Sequence, residues 1–485
     1  MLSRILGLIF LNLLMLQLQA QQMIWASYDK FSGANNHCNT IGEFKEGLYM
    51  LRYKDKNLKK NVYIDYYDHN LRLIESTQVG ERKMSLEKVM LLEENLYMVY
   101  AGNGYSNNAL YKKLLVPLDK ESNKNEPAAW FNINTEMGNT TYFDLDYNDS
   151  RTKGVVNYIE KKGETGIYNC HFFDSKLKIT KTTNFQFDVE SKNINILSKV
   201  LDKHGNLYMA YRKITKTGFF SKDESDVYLL TYNFKEDYWN QVLLTDNEFY
   251  ISTLMIKENT VNDFIHVSFF YSLKLENGNY GLQNMIFSSV NQTLKKRYRK
   301  KLEEEFTRTI TGDKLGKEQE LSSFFIRDII PTSDSGSLVI AERYFVSSQT
   351  ETYYQNGLPV TASRNVYNFE EVILLSNDFD CKPKWSKMLL KRQNSVTDGG
   401  YFSSVVIVPA PDRVHLIFNE KLLNNGDVIQ YSIDKEGVSS QKNLFRNDMA
   451  AYMIIPSESR NIGYNRAAIP LYISGGDRGL LKIVY

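Results

Sequence analysis

The chain has 485 residues, with 59 Lys or Arg against 57 Asp or Glu, so its formal net charge at pH 7 is only +2. A chain this close to neutrality has no global field strong enough to recruit nucleic acid, and we exclude nucleic acid as a partner. With 33 Tyr, 26 Phe and only 9 Pro, the composition is typical of an all-β protein.

The amino-terminal segment predicts export from the cytoplasm. A single Arg4 precedes an apolar run from Ile5 to Leu18. The segment then ends in the small residue Ala20. This run is too short to cross a bilayer and has the layout of a cleavable signal peptide over residues 1–20. No later segment reaches the roughly 18 consecutive apolar residues of a membrane helix. We therefore expect a mature chain without a transmembrane segment, located in the periplasm or secreted.

Pairs of apolar runs joined by short polar turns recur along the chain. One type of hairpin begins at Thr40, Val89, Tyr142, Ile196, Ile251, Phe324, Ser403 and Ala450. A second type follows most copies, so that two hairpins in series make one four-stranded antiparallel unit. The first two strands of a unit are apolar on both faces, and the fourth mixes apolar with charged residues, as an exposed outer edge does.

This gradient predicts a single β-propeller domain over residues 21–485, with about eight four-stranded blades. Seven blades and a β-sandwich are the alternatives. The eighth unit ends at Gly479–Tyr485 without a fourth strand, and the spare strand of the chain is Met23–Tyr28. We predict that this amino-terminal strand pairs with the last unit and closes the ring.

Two local features carry further expectations. Gly205, in the run DKHGN, predicts a tight hairpin turn with positive φ, because glycine has no Cβ to clash there. Residues Leu294–Phe306, in which basic residues give way to acidic ones, favour an extended outer strand followed by a turn of helix. A docking patch for an anionic partner is the alternative interpretation of that run.

The chain is poor in recognisable catalytic and metal-binding patterns. Its three cysteines, Cys38, Cys170 and Cys381, allow at most one disulfide. Six scattered histidines have no short metal-ligand spacing, namely His37, His69, His171, His204, His266 and His415. We therefore predict no metal site and no cofactor.

Carboxylates on the presumed innermost strands support an alternative function. Asp144, Asp146 and Asp328, with Arg327 beside the last, are candidates to line a central channel and act as acid and base. That arrangement would suit a carbohydrate-active hydrolase or lyase with a glycan as its ligand.

One run resembles a known group of proteins. Its quoted residues are Trp385, Lys387, Lys391, Arg392, Gln393, Asp398, Gly399, Gly400 and Tyr401. Over residues 324–419 the chain resembles uncharacterised secreted or periplasmic β-propeller-like proteins of Bacteroidota. The chain differs from them in the polar segment Val346–Val366, where it has only Tyr353 and Tyr354 and relatives are richer in Tyr. The resemblance implies fold and compartment, and no activity.

Long polar segments predict a binding face. They are Ile214–Asp226, Ser272–Gly281, Arg299–Leu321, Val346–Val366 and Lys391–Gly400, and in a four-stranded blade all of them fall at one end. The predicted partner-binding residues are Tyr353, Tyr354, Lys391, Arg392, Gln393, Asp398 and Tyr401, since charged groups beside aromatics anchor protein partners. The favoured function is a non-enzymatic binding or scaffold propeller of the cell envelope, and a secretion or outer-membrane complex is its candidate setting.

Overall fold

The computed structural model describes most of the chain from Gln21 onward. The described residues are 21–27, 37–44, 47–54, 58–81, 83–93, 95–102, 109–115, 125–132, 140–215, 224–245, 249–273, 278–311, 320–355, 358–396, 398–422, 426–445, 452–473 and 477–485. The expected signal peptide lies outside them. They divide into two compact units: the first holds residues below 86 and from 393 onward, and the second holds residues from 86 to 392.

Strands dominate the described part of the chain. Those up to residue 243 are β1 (Gln22–Ser27), β2 (His37–Phe44), β3 (Gly47–Tyr53), β4 (Val62–Tyr67), β5 (Leu73–Gln78), β6 (Met84–Leu92), β7 (Asn95–Gly102), β8 (Ala109–Leu115), β9 (Ala128–Asn132), β10 (Thr140–Tyr147), β11 (Lys153–Lys162), β12 (Thr165–Asp174), β13 (Ile179–Gln186), β14 (Ile194–Leu201), β15 (Leu207–Thr215), β16 (Glu224–Asn233) and β17 (Tyr238–Leu243).

The second half of the chain continues the same pattern. Its strands are β18 (Tyr250–Asn259), β19 (Phe264–Ser272), β20 (Gly278–Asn279), β21 (Gly281–Ser288), β22 (Leu294–Lys301), β23 (Leu321–Ser322), β24 (Phe324–Pro331), β25 (Ser337–Gln355), β26 (Leu358–Asn377), β27 (Pro383–Leu389), β28 (Gln393–Val396), β29 (Val406–Pro409), β30 (Arg413–Asn419), β31 (Val428–Asp434), β32 (Ser439–Phe445), β33 (Tyr452–Ile454), β34 (Arg460–Gly463), β35 (Arg466–Ile473) and β36 (Asp477–Val484). An α-helix, α1 (Glu304–Thr311), follows β22.

The described strands form eight antiparallel sheets of four or five strands that follow one another along the chain, and β20 pairs with β23 in a ninth sheet of two strands. In the first unit these are sheet 1 (β2 to β5), sheet 7 (β29 to β32) and sheet 8 (β33 and β34, then β35, β36 and β1); in the second they are sheet 2 (β6 to β9), sheet 3 (β10 to β13), sheet 4 (β14 to β17), sheet 5 (β18, β19, β21 and β22) and sheet 6 (β24 to β27). This series confirms the predicted all-β fold built from β-propeller blades. The number of blades in one ring and its closure stay predictions.

Each hydrophobic core lies between two consecutive sheets. In the second unit, Leu229 of sheet 4 and Phe269 of sheet 5 share one buried cluster, and sheets 2 and 3, 3 and 4, and 5 and 6 share others. In the first unit, sheet 8 packs on sheet 7 with one face and on sheet 1 with the other. The middle strands are therefore covered on both faces, which is why all eight residues of β21 are buried.

Burial changes across a sheet in the predicted direction, with one correction. The fourth strands β5 and β22 are largely exposed, as predicted for outer edges. The first strands are less buried than the sequence suggests, since β14 has a single fully buried residue. The reason is that the first strand is itself a sheet edge and carries charged side chains, as described below.

The predicted amino-terminal pairing is confirmed. Strand β1 pairs antiparallel with β36 from Gln22 opposite Val484 to Ser27 opposite Gly479, and supplies the fourth strand of sheet 8. The first strand of the same sheet is divided into β33 and β34 by a 3-10 turn at Pro456–Glu458. Proline has no N–H to offer the ladder, so strand pairing stops there.

The structure also describes the Gly205 turn, the run Leu294–Phe306 and the three cysteines. Gly205 lies between β14 and β15 with φ of 90°, and its N–H donates to the Asp202 carbonyl, as predicted for a tight turn. The outer strand β22 followed by helix α1 confirms the extended interpretation of Leu294–Phe306. All three cysteines are buried free thiols.

Candidate functional site

Two strands of sheet 6 extend far beyond the rest of that sheet. Strand β24 pairs with β25 only as far as Arg343, whereas β25 and β26 stay paired from Tyr344 opposite Phe369 to Gln355 opposite Leu358. We call residues 344–355 and 358–369 the β-ribbon. At the usual rise per residue its arms are about 40 Å long. The polar segment Val346–Val366 is therefore not the loop that its composition predicts: its described residues, 346–355 and 358–366, form a regular two-stranded β-structure.

The sequence forms strands here because β-branched and aromatic residues alternate with polar ones. Val346, Ser348, Thr350, Thr352 and Tyr354 share one face of the β25 arm, following the two-residue period of a strand. Ser348 and Ser363 hydroxyls lie 2.6 Å apart across the two arms on that face. Polar residues on both faces are typical of a loop, but they are equally compatible with a strand whose two faces are both exposed to water.

The β-ribbon exposes apolar side chains and an unpaired strand edge. Val346, Tyr354 and Leu358 are 47%, 76% and 70% exposed. Among the described residues, no strand pairs with the outer edge of β25 from Phe345 to Gln355. An isolated two-stranded hairpin is marginally stable in water, so a third strand or a packed surface would stabilise it.

Buried charges fix the base of the β-ribbon. Glu342 is fully buried, and its two carboxylate oxygens each lie 2.8 Å from a cation, one from Lys391 Nζ and the other from Arg327 Nε. Next to it Arg343 Nη1 lies 2.9 Å from Glu370 and 3.4 Å from Glu371. Burial lowers the pKa of Lys391, although Glu342 opposes that effect. These pairs join β24, β25 and β26 to the segment that follows β27.

The predicted partner-binding residues of the second unit separate into two groups. Tyr354 is at the tip of the β-ribbon opposite Pro359, and the backbone of Tyr353 pairs with Val360. Arg392 is exposed. Lys391, in contrast, has a side chain only 1% exposed and donates to the Phe369 carbonyl as well as pairing with Glu342. Lys391 is therefore a structural residue, and its place in the predicted partner surface is corrected.

The predicted residues of the first unit also differ in role. Gln393 is buried, donating to the Asn419 carbonyl at 2.6 Å and accepting from the Ser404 N–H at 2.9 Å, so it holds backbone and its predicted partner role is corrected. Asp398 is exposed and accepts the Gly400 N–H in a turn. Tyr401 is half-buried and donates its hydroxyl to Glu458 at 2.7 Å.

Lysines neutralise the carboxylates proposed for glycan cleavage. Asp144 lies 2.6 Å from Lys199 Nζ, and Asp146 lies 3.7 Å from Lys88 Nζ. Burial opposes ionisation of Asp144, but Lys199 outweighs it and the pKa of Asp144 lies below its usual value. A general acid needs a raised pKa, so Asp144 is unsuited to that role.

The other proposed carboxylate follows the same pattern. Asp328 on β24 lies 3.3 Å from Lys257 Nζ on β18, the first strand of the neighbouring sheet. Sequence reasoning missed these lysines. Their signal was a single Lys within the mostly apolar first strand of a repeat, at Lys88, Lys199 and Lys257.

The outer strands of sheets 5 and 6 enclose a cleft that contains Trp385 of the resemblance motif. Tyr298 and Trp385 line the cleft, with Leu282 and Leu302 beside them. Lys296 pairs with Asp380 at 2.6 Å, and Ser386 donates to Glu303, so two polar contacts join the sheets here. Trp385 therefore lines the cleft between these two sheets.

The described residues contain neither a metal-binding cluster nor a membrane-spanning helix. No group of three or more His, Cys, Asp or Glu side chains in this part of the chain could hold a metal ion. None of its helices is long and apolar enough to cross a membrane.

Comparisons with known proteins give structural likeness only. No known family model matches the chain, and no curated protein matches it. It is similar to the WD40 domain of SCAP from fission yeast, with a TM-score of 0.39, 8% identity and coverage of 96% of this chain and 98% of that chain. It is also similar to the β-propeller domain of Nup133 from Vanderwaltozyma polyspora, with a TM-score of 0.37, 15% identity and coverage of 82% of this chain and 99% of that chain.

An enzyme is also among the similar structures. Dipeptidyl peptidase 4 from Porphyromonas gingivalis gives a TM-score of 0.43 at 8% identity, and the match covers 93% of this chain but 59% of that chain. At such TM-scores these likenesses carry no conclusion about function. The fold class follows from the chain's own sheets.

Proposed function

We propose that this protein is a non-enzymatic binding or scaffold propeller of the cell envelope, periplasmic or secreted, that engages a protein partner through its β-ribbon. The observation that carries the proposal is the β-ribbon itself, a long hairpin that exposes Tyr354, Leu358 and an unpaired strand edge. Exposed apolar groups on a stable scaffold mark interaction sites. A role within a secretion or outer-membrane complex belongs to the same proposal.

The unpaired edge of β25 specifies how the partner binds. An extended segment of the partner adds to this edge as a third strand, and its main-chain hydrogen bonds provide affinity. Alternate side chains of the β-ribbon then select the sequence. Near the tip, Tyr354 on one face of the β-ribbon and Leu358 on the other provide exposed apolar contact area of the kind that hot spots of protein interfaces use.

The test compares the mature wild-type protein with a variant in which residues 346–366 are replaced by an Asn-Gly turn. Both tagged proteins are incubated with envelope fractions of the source organism, and partners are quantified by mass spectrometry. A partner bound in stoichiometric amount by the wild type is expected to be lost with the β-ribbon. Because none of the side chains described between residues 346 and 366 is buried, the melting temperature is expected to stay close to that of the wild type.

A matched pair of point variants separates specific contact from general surface change. Leu358→Ala should weaken binding at least about tenfold, since a hot-spot anchor contributes about 2 kcal/mol or more and about 1.4 kcal/mol corresponds to tenfold. Val438→Ala, at a comparably exposed turn residue of sheet 7, should leave binding unchanged. Full retention of every partner by the variant without the β-ribbon would show that the proposed binding site is wrong.

A further inference from the structure

Arg478 in the first unit is a buried cation with no ion-pair or hydrogen-bond partner among the described residues. It is the second residue of β36 and is only 8% exposed. Its guanidinium carbon lies 5.8 Å from the centre of the Tyr401 ring and 5.2 Å from that of Tyr472. Its Nη1 is buried and has no hydrogen-bond acceptor, and Arg478 forms no ion pair among the described residues.

Such a group is energetically unusual. Buried charges in proteins are paired, because desolvation of an unpaired ion costs several kcal/mol. Contact with aromatic rings offsets only part of that cost. The guanidinium of Arg478 therefore has no hydrogen-bonding anion among the described residues.

The nearby carboxylate does not provide that anion. Glu458 Oε1 accepts the Tyr401 hydroxyl at 2.7 Å, and Oε2 accepts both the N–H and the thiol of Cys38 at 3.3 Å. His37 Nδ1 lies 3.6 Å from the same carboxylate. The described contacts of Glu458 are therefore with Tyr401, Cys38 and His37, and none of them is with Arg478.

We propose that Arg478 is the anchor of a carboxylate-binding site whose walls are the rings of Tyr401 and Tyr472. The planar guanidinium matches a carboxylate in geometry and forms charge-assisted hydrogen bonds with it. Phe402 packs edge-on against both tyrosines, at 4.9 Å and 5.5 Å between ring centres, and extends the apolar wall. This wall suits an aromatic or aliphatic group attached to the carboxylate.

The site follows from three separate parts of the sequence. Tyr401 and Phe402 come after the Asp398 turn, Tyr472 is near the end of β35, and Arg478 is near the start of β36. The carboxylate has two natural sources on a protein ligand, a chain terminus and an acidic side chain. This inference is independent of the β-ribbon, so either can fail alone.

The test measures thermal unfolding and calorimetric binding of the mature protein with benzoate, and with benzamide as its uncharged counterpart, at equal ionic strength. Benzoate is expected to raise the melting temperature of the wild type, and benzamide is not. Arg478→Gln should weaken benzoate binding at least about tenfold, as loss of a charge-assisted hydrogen bond implies. Arg413→Gln, at an exposed arginine of the same unit, should bind like the wild type.

Folding of the variant is checked independently. Arg478→Met, measured without ligand, should melt at or above the wild-type temperature, because it removes an unpaired buried charge. Two amidated peptides that differ only in Glu against Gln, and one peptide with a free terminus, then distinguish the two sources. Equal effects of benzoate and benzamide on the wild type, or an unchanged benzoate effect in Arg478→Gln, would overturn the proposal.

Discussion

At the residue scale, charge alone did not distinguish binding residues from structural ones. Lys391, Arg392 and Gln393 are consecutive, yet the first and third are buried and only Arg392 is exposed. This alternation is the two-residue period of extended chain, in which successive side chains point to opposite sides. Buried Lys391 then needs Glu342, because an unpaired charge at that depth would be far more costly than the pair.

Replacing Lys391 by Met should therefore destabilise the protein strongly. Glu342 would lose its buried ion pair with Lys391, and we expect the free energy of unfolding to fall by about 3 kcal/mol in urea denaturation. The control Lys384→Met, at an exposed lysine that pairs with Asp334, should cost less than about 1 kcal/mol. If the double variant Lys391→Met with Glu342→Gln is no more stable than Lys391→Met alone, the pair is not the cause.

Two buried histidines predict a pH dependence of stability. Burial lowers the pKa of His266 to about 4, and burial, reinforced by Arg413, lowers that of His415 to about 4. An unfolded histidine has a pKa near about 6.5, so between these values the unfolded state binds protons that the folded state does not. The histidines therefore lower stability as pH falls from about 6.5 to about 4, and have no such effect above that range.

The measurement is the melting temperature against pH for the wild type, His415→Gln and His69→Gln. Asp202 and Glu258, whose pKa values burial raises to about 6 and about 7, act in the opposite direction, so the comparison between variants isolates the imidazole. His415→Gln should lose less stability on acidification than the wild type. The variant at exposed His69 should match the wild type, and identical profiles for all three would contradict the assignment.

At the element scale, local pattern identified strands well and their ends poorly. The apolar runs of the repeats became middle strands because each repeat brings another sheet to cover it. The arms of β25 and β26 were missed beyond Val346 because a polar strand with no covering sheet has the composition of a loop. The order of a strand within its sheet, which explains the half-exposed first strands, is likewise not a local property.

The contribution of the β1–β36 pairing to stability can be tested by deletion. Deletion of residues 22–27 should lower the melting temperature of the mature protein, because it exposes the edge of β36 and uncovers its apolar neighbours. Ile24 packs on the buried cluster shared by sheets 8 and 1, whereas Met23 is exposed on the same strand. Ile24→Asp should cost about 2 kcal/mol or more, and Met23→Asp should cost little. Equal effects of the two substitutions would show that β1 does not contribute through its packed face.

At the scale of the whole molecule, stability is distributed over interfaces between successive sheets. Sheets 2 to 6 share their cores in series, and so do sheets 7, 8 and 1. A single propeller domain over residues 21–485 stays a prediction. If it is correct, differential scanning calorimetry should give one transition whose calorimetric and van't Hoff enthalpies agree. Two separable transitions, one for each unit, would contradict it.

The all-β class, the four-strand repeat, the Gly205 turn and the pairing of the amino-terminal strand with the last repeat could all be predicted from the sequence. They depend on local periodicity, on glycine conformation and on the number of strands, which can be read from the order of the residues. The sequence did not predict that Lys391 and Gln393 are buried, that lysines neutralise Asp144 and Asp328, or that Arg478 has no partner among the described residues. The reason is that burial and pairing depend on residues far apart in sequence, which are brought together only when the sheets pack.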